Sequence, residues 1–125
     1  MQIGIPLETV AGETRVAATP ETVKKLVGQG HTLLVQHGAG LRAGITDAQF
    51  EAAGASLTDA ATALGSEMVL KVRSPQAEEL AQMRSGAVLV GMLDPFDAEG
   101  LQRLAAAGLT SFALEAAPRT TRAQS

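Results

Sequence analysis

The chain has 125 residues, 46% of them hydrophobic, with a net charge of −3, three phenylalanines and no cysteine, tyrosine or tryptophan. One aliphatic core fits that length, while the missing aromatics and interspersed charges exclude a base-stacking or phosphate-tracking surface and a polybasic membrane patch. Absent thiols exclude disulfides and thiolate metal sites and fit a reducing cytoplasm, and no run approaches the roughly 18 apolar residues of a membrane span.

Gln2–Ile5 is the first of five short apolar runs that read as buried strands; the others are Thr32–Gln36, Met68–Val72, Ala87–Gly91 and Thr110–Leu114. Helical patterns lie between them. Thr19 caps the first, with Pro20 at its opening position, Val23, Leu26 and Val27 on one face and Gly30 as its stop. Thr46 and Gln49 have capping-box spacing before Phe50 and Ala53, and Asp59–Leu64 forms a further short helix. Ser74-Pro75 opens a helix through Leu80 and Met83 that Gly86 closes, and Asp97 opens another through Leu101, Leu104 and Ala105 that Gly108 closes. The alternation predicts an α/β fold, Rossmann-like or flavodoxin-like, with a mostly parallel sheet covered by helices on both faces.

In such sheets ligands bind outside the carboxyl ends of the strands. That rule selects the loops Pro6–Arg15, His37–Gly44, Arg73–Pro75, Met92–Phe96 and Glu115–Ser125. Arg15, beside Glu8 and Glu13, either grips a carboxylate or phosphate through its guanidinium or forms a surface ion pair that orders the loop. Lys71, at the end of an apolar strand, either reaches solvent along its stem or pairs with an anion. Arg119, Arg122 and Gln124 read by position alone as a polar tail. Gly38-Ala-Gly-Leu-Arg-Ala43 matches a dinucleotide fingerprint only formally, because the helix signal comes later, at Thr46. His31 and His37 read as surface histidines, Asp94 before Pro95 as a turn former, and no spacing suggests a metal site or a nucleophilic triad.

Three stretches carry a resemblance. Ile3-Gly-Ile-Pro-Leu-Glu-Thr-Val, Glu13-Thr-Arg-Val-Ala-Ala-Thr-Pro20 and Glu115-Ala-Ala-Pro-Arg-Thr-Thr-Arg-Ala-Gln-Ser125 resemble the alanine dehydrogenase and NAD(P) transhydrogenase family, the last of them the nicotinamide-side loop of the transhydrogenase branch. The resemblance implies the first lobe of a two-lobe NAD-binding subunit, spanning residues 1–125 and ending before its cofactor domain. It implies NAD(H) in the full subunit, with Arg119, Gln124 and Arg122 on the nicotinamide side, and NADP(H) on a partner domain. It further implies hydride transfer coupled to proton movement, a dimer of the full subunit, and a cytoplasmic place peripheral to the membrane through membrane and NADP-binding partner domains, without direct insertion. In the alanine dehydrogenase branch the residues matching Arg15 and Lys71 hold the substrate carboxylate, and a catalytic histidine stands where this sequence has Asp94. An aspartate ionised at neutral pH cannot replace that acid, so the resemblance points to the transhydrogenase branch. An amino-acid dehydrogenase and a non-catalytic flavodoxin-like module are the alternatives. The reading expects the loops carrying Arg15 and Arg119 to stand on neighbouring strand tips and share one hollow.

Overall fold

A computed structural model describes residues 1–9, 12–73, 75–91, 102 and 104–113. Among these residues six strands form one sheet in the order β3-β2-β1-β4-β5-β6: β1 (Gln2–Ile5), β2 (Thr32–Gln36), β3 (Ser56–Thr58), β4 (Met68–Lys71), β5 (Val88–Gly91) and β6 (Thr110–Ala113). Every pairing is parallel. β1 pairs with both β2 and β4, Ile3 opposite Leu33 on one side and Met68 on the other. The strand order therefore turns around between β1 and β4, the place where an open α/β sheet leaves a crevice at its carboxyl edge.

Helices cover both faces, as the alternation predicts. On one face α1 (Pro20–Gly28) and α2 (Asp47–Ala52) bring Val23 and Phe50 onto Ile3, Ile5, Leu33 and Val35. On the other, Leu64 of α3 (Ala60–Leu64) joins Val69, Leu89 and Leu104. Alternation along a strand lets one segment serve both layers: Met68 and Leu70 pack toward the first cluster and Val69 lies in the second. Gly4 sits between Ile3 and Ile5, and a Cβ there would overlap the carbonyl oxygen of Ala63. Its missing side chain lets α3 lie directly on β1.

The helix starts follow their caps. Thr19 accepts from the Thr22 N–H, Asp59 from that of Thr62 at 2.8 Å, and Thr46 and Gln49 close a full capping box. The Thr62 hydrogen bond also lowers the pKa of Asp59.

Four expectations need correction. β3 was not among the five apolar runs, because it is a three-residue edge strand with one large apolar side chain, Leu57, recognisable only through its pairing with β2. The helix expected from Ser74-Pro75 to Met83 shortens to α4 (Ala77–Leu80). The Glu79 carboxylate accepts the Gln76 N–H at 2.9 Å, which starts the helix at Gln76. β4 stops at Lys71, because the Val72 N–H leaves the ladder for the Glu8 carboxylate. Finally, β1 and β6 are not neighbours; β4 and β5 lie between them, a separation of roughly 14 Å at ordinary strand spacing. Residues 104–106 are helical, as expected; Asp94, Asp97, Leu101 and Leu114 lie outside the described residues.

Candidate functional site at the strand-order reversal

The loop after β1 and the tip of β4 meet at the carboxyl edge, and they meet through charge in two tiers. The inner tier is fully enclosed. Lys71 Nζ lies 3.1 Å from Glu8 Oε1 and 2.9 Å from Glu79 Oε2, and the lysine and Glu8 side chains are each 1% exposed. Glu8 also accepts the backbone N–H groups of Val72 at 2.8 Å and Arg73 at 3.1 Å. Thr9 donates to Gln76 Oε1, a second tie from the same loop to the start of α4. Every charge in this tier has a partner, as burial demands. The alternative in which Lys71 reaches solvent is overturned: the lysine pairs with anions, both from within the chain.

The outer tier is built on Glu13, whose side chain is 3% exposed while those of Arg15 and Arg73 are about half exposed. Arg15 donates Nε to Glu13 Oε2 at 2.9 Å and Nη2 to Oε1 at 3.0 Å, a two-pronged grip. Its own backbone N–H adds a bond to Oε2. Arg73 donates Nε to Oε1 at 2.8 Å. The Arg15 side-chain bonds, then that of Arg73, hold the Glu13 carboxyl far below the usual carboxylate range. Arg42 reaches the backbone carbonyl of Glu13 from the next loop, at 3.4 Å. Two half-exposed guanidiniums thus share one buried carboxylate.

Beside this tier lies a hollow of about 350 Å³ lined by Arg15, Val16, Ala17, Thr22, Leu70, Lys71, Val72, Val90 and Gly91. The walls are mainly aliphatic; Arg15 belongs to the lining, and Arg73 adjoins it through the shared Glu13 carboxylate. Arg15 and Lys71, both named from sequence, border the same hollow, but the lysine's ammonium is held in the inner tier. Arg73, Glu13, Glu8 and Glu79 complete the arrangement without having been singled out as site residues. Their signal was faint: Glu8 and Glu13 read as loop acids beside Arg15, and Glu79 lies unmarked within the helix expected from Ser74-Pro75. Arg119, Arg122 and Gln124 lie outside the described residues.

The Gly38–Ala43 stretch makes no phosphate cradle. Leu41–Ala43 forms a single 3-10 turn, the Gly38 N–H is taken by Asp47 Oδ1 at 2.9 Å, and a Cβ on Gly40 would crowd Phe50 and Ile45. These glycines serve packing and turning. His37 is exposed and lies 3.6 Å from Asp47, whereas His31 is half-buried, and its Nδ1 has no hydrogen-bond partner among the described residues. Among those residues no cluster suits a metal ion, and no helix is long and apolar enough to cross a membrane.

Comparison with known proteins places this geometry in context. Residues 4–125 match the family described as alanine dehydrogenase/PNT, N-terminal domain. The chain is 39% identical over 99% of its length to an NAD(P) transhydrogenase subunit alpha of Haemophilus influenzae, covering 24% of that protein. It is 43% identical over 92% of its length to an alanine dehydrogenase of Halomonas elongata, covering 32% of it. Among solved structures, a transhydrogenase from Sinorhizobium meliloti superposes with a TM-score of 0.93 at 44% identity, covering 99% of this chain and 36% of that one. The chain thus spans a quarter to about a third of these relatives.

Proposed function

The chain belongs to the alanine dehydrogenase/PNT N-terminal domain family, and from that membership we propose that it forms the first lobe of an NAD(P) transhydrogenase alpha subunit. In this reading it supports hydride transfer between NAD(H) and NADP(H), coupled to proton translocation by membrane domains. The extent of the likeness carries the reading: the transhydrogenase relative matches nearly the whole chain, final loop included, whereas the alanine dehydrogenase match stops short of that extent. Asp94, where amine oxidation needs a group titrating near neutrality, points the same way.

The described residues suit one wall of a nicotinamide-side cleft. The hollow has the volume for a ring-sized group, and its lining includes Arg15, whose guanidinium is fixed by Glu13. With the Gly38 N–H engaged internally, the dinucleotide's phosphates would be held by a further domain. Arg119, Arg122 and Gln124 would orient the nicotinamide end, and Arg15 would line the facing wall. Lys71 would act there only through its pairing with Glu8 and Glu79. Hydride transfer between two bound nicotinamides needs positioning more than an acid or base. The working unit would be a dimer of the whole subunit, cytoplasmic and peripheral to the membrane through its partner domains.

A second reading keeps one observation in its favour: Arg15, in the lining of an aliphatic hollow and beside Arg73 on Glu13, could hold the carboxylate of a small amino or keto acid. Assay of the intact gene product with its partner subunits separates the two. NADPH-driven reduction of an acetylpyridine analogue of NAD, without alanine-dependent NAD reduction, is expected. Alanine-dependent reduction alone would overturn the transhydrogenase reading.

A further inference from the structure

The inner tier buries the side chains of Glu8, Lys71 and Glu79, which no step of the proposed chemistry touches, and their arrangement shows what they do. Arg73 is gripped twice by the loop after β1: its backbone N–H donates to Glu8 and its Nε to Glu13. Glu8 takes two consecutive N–H groups, those of Val72 and Arg73, at the point where β4 ends. Lys71 bonds the same carboxylate and ties it to Glu79 of α4. The backbone that launches Arg73 is therefore set by Glu8. Among the described residues, Glu79 reaches the lysine and the Gln76 N–H.

We propose that Glu8 is a positioning residue: by clamping the Val72 and Arg73 N–H groups it aims the Arg73 guanidinium at Glu13, beside Arg15, and so sets the spacing of the two cations on that carboxylate. Its relevance to catalysis rests on the function proposed above, but the placement of Arg73 can be tested without any turnover. A failed clamp and a failed functional assignment are therefore separable.

The measurement is hydrogen exchange of the arginine Nε–H groups by NMR in the 125-residue chain. In the wild type, Arg15 and Arg73 should both show protected Nε–H signals, since both donate to a nearly enclosed carboxylate. Glu8→Gln keeps only one carbonyl oxygen, and Glu8→Asp keeps the charge for Lys71 but is too short to span both N–H groups. In either variant Arg73 Nε–H should exchange about tenfold faster while Arg15, held within its own loop, changes less than about twofold. Glu79→Gln disturbs the same buried lysine and should lower the melting temperature while leaving Arg73 protection intact. Unchanged Arg73 protection in the Glu8 variants, or an equal loss in Glu79→Gln, would overturn the proposal. So would failure of both Glu8 variants to fold, which would make Glu8 a determinant of the fold itself.

Discussion

Arg73 donates from Nε to Glu13 at 2.8 Å across 60 residues of chain. This bond joins the loop after β1 to the tip of β4 at the reversal of strand order. It makes Glu13 the point on which two half-exposed cations converge.

Glu13 gives the site a pH signature. Its folded-state pKa is depressed from an ordinary 4.5 by the side chains of Arg15 and Arg73. A depressed carboxyl pKa contributes stability that is fully present above the unfolded value and is lost as pH falls toward the folded one. Stability should hold from neutrality down to about pH 4.5 and decline below it. Glu13→Gln should be less stable at neutral pH and lose less on acidification. Urea denaturation between pH 2 and 7 checks the sign, and parallel curves for the two proteins would refute the assignment.

Lys71 should be costly to remove. Lys71→Met leaves Glu8 and Glu79 enclosed without their shared cation, a change expected to destabilise by about 3–5 kcal/mol. Lys71→Met/Glu79→Gln removes one orphaned charge and should recover part of that loss, because Glu8 retains two backbone donors. Chemical denaturation of the single and double variants measures the difference.

Gly4→Ala tests the packing of α3 on β1. The added methyl would meet the Ala63 carbonyl oxygen, so the helix must move or the strand must shift, at about 1–3 kcal/mol or more. The melting temperature should fall, whereas Gly28→Ala, where a Cβ meets nothing within 4 Å, should change it little.

Much of the fold was legible because parallel strands buried on both faces read as apolar runs, and because Thr19, Thr46 and Asp59 mark their helices chemically. β3 escaped for the opposite reason: its signal lies in backbone pairing along Leu34–Gln36. Strand order was also hidden, since sequence alternation does not say that β4 returns to the far side of β1. The site was half legible. Arg15 was visible as a loop cation next to Glu13. The contrast between Lys71, enclosed against Glu79, and Arg73, half exposed against Glu13, follows from two carboxylates whose placement only the folded chain reveals.

The most direct test of the functional account follows the hydride itself. The whole protein proposed above, assembled with the proposed partner subunits in membrane vesicles, is given NADH deuterated at the transferable position together with NADP, a keto acid and ammonia, and the label is traced by mass spectrometry. The account predicts that deuterium passes into NADPH without dilution by solvent protons, because the two nicotinamides exchange it directly. Label left in NADH, or passed to a keto acid and ammonia in place of NADP, would contradict it.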